Sequence, residues 1–207
     1  RRMKDRLFER VAICGGTHGN ELTGVSLVNK WLADRSPLAR QSFTAEPFLS
    51  NPRAVAENRR YIDADLNRAF LQRDLEDDTL AGYEANRAKV IDQRFGPKGD
   101  PSFDLIIDLH TTTANMGGTI IIEREDEEAR KIASYLSEVS PETRVLAYTG
   151  ADDYPYVAEV TDSSIEIEVG PIPQGVIRWD VLRETESLVH HILDYLDGRN
   201  RTETESK

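Results

Sequence analysis

Short apolar runs alternate along the chain with stretches in which apolar residues recur every three or four positions, a pattern that predicts strands followed by helices. Residues 10–14, containing Val11-Ala12-Ile13-Cys14, read as a first strand, and after a Gly-rich turn Leu22, Val25, Val28 and Leu32 mark the inward stripe of a helix. A second extended run covers 43–49 and leads into Asn51-Pro52-Arg53, where proline favours an extended or turn conformation in the residue before it. Residues 79–95 predict a surface helix with Leu80, Tyr83, Val90 and Ile91 inward, stopped by Gly96-Pro97-Lys98-Gly99-Asp100-Pro101. Leu105-Ile106-Ile107-Asp108-Leu109 is nearly continuous in apolar character, as expected of a strand covered on both faces.

A further strand is expected at 119–122, a helix over 127–139 ahead of Pro141, and a short strand at 145–148. Residues 164–169 alternate Ile165, Glu166, Ile167, Glu168, so one face of that strand carries both glutamates and the other both isoleucines. Val181, Leu188, Ile192 and Leu196 form the stripe of a last helix over 180–196, with Gly198 as its C-cap and 199–207 as a loose tail. Strand and helix alternate without an internal repeat, which predicts one α/β domain over 1–198 with a mixed, mostly parallel sheet.

Between the second and third predicted strands lies a polar stretch with little to bury, Arg59-Arg60-Tyr61-Ile62-Asp63-Ala64-Asp65-Leu66-Asn67-Arg68, which reads as a functional loop. Taken alone, its arginines and acids also describe a solvated ion-pair loop. The balance of 37 acidic against 26 basic residues, a net charge of −11, disfavours nucleic acid and anionic membranes as partners, and an anionic substrate must then meet a local basic pocket. No apolar run approaches the length of a membrane span, and the basic start leads into no signal-like segment. One cysteine, Cys14, excludes an intrachain disulfide framework and fits a reducing cytoplasmic setting. No motif speaks to oligomeric state.

Candidate chemistry gathers where the predicted strands end. His18 and Glu21 stand three apart in the turn Gly15-Gly16-Thr17-His18-Gly19-Asn20-Glu21, and His110 ends the apolar strand at 105–109. Two histidines and a glutamate are the donor set of an open catalytic zinc site, and strand ends are where α/β sheets collect ligands. Asp108 is a candidate to orient an imidazole at position 110, or to cap a neighbouring turn. His190 and His191 are adjacent on a helix and cannot face one ion together.

Five blocks carry a resemblance. Gly-Gly-Thr-His-Gly-Asn-Glu-Leu-Thr-Gly at 15–24, Asn-Pro-Arg-Ala-Val at 51–55, Arg-Tyr-Ile-Asp-Ala-Asp-Leu-Asn-Arg at 60–68, Asp-Leu-His at 108–110 and Ile-Glu-Val-Gly-Pro at 167–171 resemble the aspartoacylase and succinylglutamate desuccinylase family, in its order, from about Arg10 to Gly198. The blocks are worded more like aspartoacylase than like the desuccinylases. The resemblance implies a three-layer α/β/α sandwich of the zinc-carboxypeptidase type and a zinc hydrolase that removes the acyl group from a small N-acyl amino acid, such as N-acetyl-L-aspartate.

By motif, the resemblance implies His18, Glu21 and His110 as ligands of one Zn²⁺, Glu168 as the catalytic acid and base, and Arg60 as oxyanion stabiliser. It makes Asn67 and Arg68 the pair that binds the substrate carboxylate. Alternation alone does not separate Glu168 from Glu166, which shares its strand face; the Ile-Glu-Val-Gly block favours Glu168. Two departures stand out: the family continues past the helix at 180–196 into a β-rich C-terminal domain, and it has an arginine shortly before the catalytic glutamate that reads a side-chain carboxylate. Here no Arg or Lys lies between Arg144 and Arg178, which bears directly on preference for N-acetylaspartate. The alternatives are a carboxypeptidase-like peptidase and a metal-binding core with little turnover.

Overall fold

The computed structural model describes residues 7–148 and 150–205. Six strands, β1 (Arg10–Gly15), β2 (Thr44–Leu49), β3 (Leu105–Thr111), β4 (Gly117–Ile122), β5 (Arg144–Ala147) and β6 (Ser163–Gly170), form one sheet in the order β2-β1-β3-β6-β4-β5. Every neighbouring pair is parallel except β4 with β6. The helices are α1 (Leu22–Ala33), α2 (Pro52–Ala56), α3 (Gln72–Glu76), α4 (Tyr83–Phe95), α5 (Glu127–Val139) and α6 (Trp179–Glu205). The expected mixed, mostly parallel α/β/α sandwich is therefore present.

Alternation along the strands sorts the core into two layers. Val11, Ile13, Leu105, Ile107, Ile165 and Ile167 face one side, where they pack with Leu27 and Trp31 of α1, Ile132 and Leu136 of α5, and Leu188, Ile192 and Leu196 of α6. Ala12, Cys14 and Ile106 face the other side and meet Ala88, Ile91 and Phe95 of α4, with Leu66, Phe70 and Val157. β3 is buried along its whole length, so its near-continuous apolar character reflects cover on both faces. Among the described residues no helix is long and apolar enough to cross a membrane.

Three helical expectations are revised. In α1 the buried stripe runs through Leu27 and Trp31, and Leu32 is 46% exposed, because the Trp31 ring turns that face toward His190 on α6. α4 starts at Tyr83 and buries Glu84, Ala88, Ile91 and Phe95, leaving Val90 50% exposed and Leu80 outside the helix. A buried acid on the inner face misleads a pattern that counts apolar residues, and the Phe48–Phe95–Phe103 ring cluster fixes which face turns inward.

The third revision concerns the end of α6, which passes through Gly198 to Glu205 where a C-cap and a loose tail were expected. Ser206 and Lys207 lie outside the described residues. Polar anchors hold this extension: Asn200 accepts from Phe8 N–H (3.0 Å) and donates to Phe8 C=O (2.6 Å), and Asp197 accepts from Gln41 and Ser42 N–H. Asn200→Ala would leave the buried Phe8 peptide groups without partners. It should lower stability by about 1–3 kcal/mol in urea unfolding, with no change in the site described next.

Candidate metal centre and its cavity

The site forms where the carboxyl ends of β1, β3 and β6 meet. After β1 the chain must turn sharply, and two glycines make this possible: Gly16 has φ +69°, and a Cβ on Gly19 would lie 2.2 Å from the Ala54 carbonyl carbon. Gly19 N–H also bonds Arg60 C=O (3.1 Å), tying the turn to the polar loop. The turn brings His18 and Glu21 under the end of β3, where His110 projects from the adjacent strand. All three side chains are buried, and one donor atom from each lies within 4.8 Å of the others.

Hydrogen bonding fixes which ring nitrogens face inward. His18 Nε2 meets Asp65 Oδ1 at 2.9 Å, and His110 Nε2 meets Asp108 Oδ2 at 2.7 Å. Asp108 Oδ1 in turn accepts from Thr17 Oγ1 (2.8 Å). With each Nε2 proton donated to a carboxylate, the two Nδ1 lone pairs point at the centre. They lie 3.2 Å apart and 2.8 and 3.0 Å from the Glu21 oxygens. A buried cluster of facing acceptors requires cations, either protons on the imidazoles or a metal ion. Two imidazole nitrogens backed by carboxylates, plus one carboxylate, fit a divalent metal of the zinc type.

The electrostatics agree. Burial opposes charging of His18, but Asp65 and Glu21 outweigh it and raise its pKa; His110 is raised further, against its burial, by Asp108, Glu166 and Glu21. Glu21, although buried, is held down at about 2 by His110 and His18 and by their hydrogen bonds. Asp65 is likewise lowered against its burial, mainly by His18 and Arg60.

A cavity of about 310 Å³ opens beside the three side chains, with Arg60, Asn67, Arg68, Glu123, Tyr148, Tyr156, Glu166 and Glu168 in its wall. Glu168 is the register partner of His110 on the adjacent strand and Glu166 the partner of Asp108, so both acids share the cavity face while Ile165 and Ile167 enter the core. Glu168 Oε1 is buried without a protein partner, and burial raises that carboxyl to about 7. Glu166 is also raised by burial, and Glu123, bonded by the Tyr148 hydroxyl at 2.7 Å, is raised to about 8.

His18, Glu21, Arg60, Asn67, Arg68, His110 and Glu168 all line this cavity, though not in the same way, and Asp108 lies behind His110. Arg60 bonds Glu21 (3.3 Å) and Asp65 (3.2 Å) and is partly exposed. Asn67 accepts from Val157 N–H (2.9 Å) through Oδ1, which leaves its amide nitrogen as the donor end. Arg68 sits over the Tyr156 ring, 5.1 Å from its centroid, and bonds Asn67 C=O. His190 and His191 are on α6 and take no part. Sequence reasoning gave no role to Thr17, which lies inside the His18 turn, or to Glu123 or Tyr148, and it treated Asp65 only as an ion-pair partner; their partners lie far along the chain, where spacing carries no signal.

Fold and site together define a class: an α/β/α sandwich with a His-x-x-Glu turn and a strand-borne histidine converging at the carboxyl edge of the sheet. The chain belongs to the family described as Succinylglutamate desuccinylase/Aspartoacylase catalytic domain, which matches residues 8–196. A "Probable aspartoacylase" of Trichodesmium erythraeum is 44% identical over 194 residues, covering 93% of this chain and 66% of its own length. An "N-acyl-aromatic-L-amino acid amidohydrolase (carboxylate-forming)" of Xenopus laevis is 43% identical over 199 residues, covering 93% and 65%. The crystal structure of murine aminoacylase 3 superposes with a TM-score of 0.91 at 38% identity, over 95% of this chain and 67% of that one. The chain thus spans about two thirds of the length of the relatives it matches.

The metal-free imidazoles are raised and Glu21 is lowered, so a metal binding at this cluster competes with protons on His18 and His110. Zn²⁺ binding followed by calorimetry in buffers of different ionisation enthalpy should release protons at pH 7, and affinity should weaken as pH falls. The sign follows linkage: His18 and His110 stabilise the metal-free fold below their unfolded pKa and lose that contribution as pH rises through the raised folded value. Glu21 contributes above about 4.5 and loses its contribution as pH falls toward about 2.

Proposed function

We propose that this chain is a zinc-dependent amidohydrolase that releases a carboxylate from an N-acyl amino acid, with N-acetyl-L-aspartate, giving acetate and L-aspartate, as its reference substrate. The observation that carries the reading is the buried acceptor cluster of His18, Glu21 and His110 with the unpartnered oxygen of Glu168 one strand away. His18 and His110 through Nδ1, with Glu21, would hold the ion, and Asp65 and Asp108 would keep both rings in register. Bound zinc supplies Lewis-acid charge that polarises an acyl carbonyl and acidifies water.

The remaining steps belong to side chains. Glu168 takes the proton of the attacking water at a carboxylate oxygen and returns it to the leaving amine nitrogen. Its pKa of about 7 suits both transfers. Arg60, aimed by Asp65, stabilises charge developing on the acyl oxygen. The Arg68 guanidinium and the Asn67 amide nitrogen offer a donor pair to the substrate α-carboxylate.

A second reading shares the chemistry and differs in the side chain accepted. Arg60 and Arg68 are the only arginine or lysine side chains among the described residues lining the cavity, and Arg60 is engaged with Glu21 and Asp65. Glu123 and Glu166 also line the cavity, and with Arg60 so engaged and Arg68 given to the α-carboxylate, a second substrate carboxylate meets no further lysine or arginine among the described lining residues. This favours N-acyl amino acids with neutral or aromatic side chains, the class named in the Xenopus laevis relative.

A panel of N-acetylaspartate, N-acetyltyrosine and short peptides, assayed with zinc-loaded protein, separates these readings from peptidase activity. Glu168→Gln should keep zinc and lose about 10²–10⁴-fold in kcat. In the wild type kcat/KM should rise with pH along a limb at or below about 7, since a bound cation lowers Glu168 further, and Glu168→Gln should flatten that limb.

A further inference from the structure

The polar loop that carries Arg60, Asp65, Asn67 and Arg68 has almost nothing apolar to anchor it. From Arg59 to Asp65 each residue is exposed or half-buried, and Leu66 is the first to enter the core. The loop's backbone is instead held by hydrogen bonds to another element. Glu84, in the first turn of α4 and 1% exposed, directs its carboxylate at three successive backbone N–H groups of the loop. Oε1 accepts from Ile62 N–H (2.7 Å), and Oε2 accepts from Asp63 N–H (2.9 Å) and Ala64 N–H (3.2 Å). Oε1 also accepts from Asn51 Nδ2 (3.2 Å), and Asn51 caps the helix that follows β2.

The lock is reciprocal. Asp63 Oδ2 accepts from Tyr83 N–H (2.7 Å), supplying a partner to one of the donors that a helix start leaves open. The helix thus holds the loop by a carboxylate, and the loop caps the helix by another. Immediately C-terminal to this lock, Asp65 fixes the His18 ring and the Arg60 guanidinium. Arg87, one turn along α4 from Glu84, bonds the Leu49 and Ser50 carbonyls at the end of β2.

We infer that Glu84 is a positioning residue of the site: it sets the loop backbone from which Asp65 orients His18 and Arg60 reaches the cavity. A carboxylate is needed because only an acceptor at both oxygens satisfies N–H groups from both sides; an amide would turn a donor toward one of them. The inference rests on the functional reading above only for its effect on turnover, and its effect on metal binding and loop protection stands apart.

The test uses Glu84→Gln, with Ile91→Val as a control that loosens the core under α4 without touching the loop. In Glu84→Gln, amide exchange at 62–64 should accelerate while the β3 and β6 amides keep their protection, and zinc affinity should fall by up to about 10–100-fold, the usual loss when the carboxylate partner of a metal-binding histidine, here Asp65, is displaced. kcat should fall and KM should rise together, since both Arg60 and Arg68 ride on the loop. Ile91→Val, compared at equal loss of Tm, should bind zinc as the wild type does. Wild-type zinc affinity in Glu84→Gln, or an equal loss in Ile91→Val, would overturn the assignment. If neither N-acyl amino acids nor peptides were turned over while zinc affinity and local exchange behaved as stated, the proposed reaction would fail and Glu84's role would stand.

Discussion

Two imidazole nitrogens facing one another and a carboxylate, all out of water, are the constraint on which the rest of this structure depends. Such a cluster cannot persist uncompensated, since each buried lone pair without a donor or cation costs free energy. The surroundings are arranged to keep it in place. Asp65 and Asp108 occupy the outer nitrogens, Thr17 fixes Asp108, and Thr111 N–H donates to Glu21 at 3.1 Å. These contacts come from the turn after β1, the polar loop and β3, and the sheet brings those stretches to one edge.

Charge follows the same logic. The chain carries a net charge of −11, yet its arginines are brought to the cavity rim by a loop that itself contains two acids. Asp63 is turned away toward the start of α4, and Asp65 is used to aim Arg60 and His18, so neither neutralises Arg68. The cavity wall thereby carries two guanidinium groups together with Glu123, Glu166 and Glu168. Burial holds these three acids above the ordinary carboxylate range.

How much of this was legible depended on range. Strand order could not be read, but strand identity could, because β3 and β6 announce themselves through apolar runs and alternation. His18, Glu21 and His110 stood out as donors of the right type at strand ends, and the family blocks singled out Glu168 where alternation left Glu166 equal to it. Residues that act through a distant backbone were silent: Glu84 looks like any helix acid, and Asn200 like part of a polar tail. Hydrophobic periodicity carries no signal for a side chain whose partners are amide groups far along the chain, and with Glu84 buried on the inner face of α4 it turned Val90 inward and drew Leu80 into the helix. Polar anchoring, rather than apolar count, marks the start of α4 and carries the end of α6 past Gly198.

The central claim is that one divalent ion is held by His18, Glu21 and His110. Anomalous diffraction from crystals of the zinc-loaded protein, recorded on both sides of the zinc absorption edge, tests it most directly. The account predicts a single strong peak within about 2.0–2.2 Å of His18 Nδ1, His110 Nδ1 and a Glu21 oxygen. A peak at other side chains, or none at these three in zinc-saturated crystals, would contradict it.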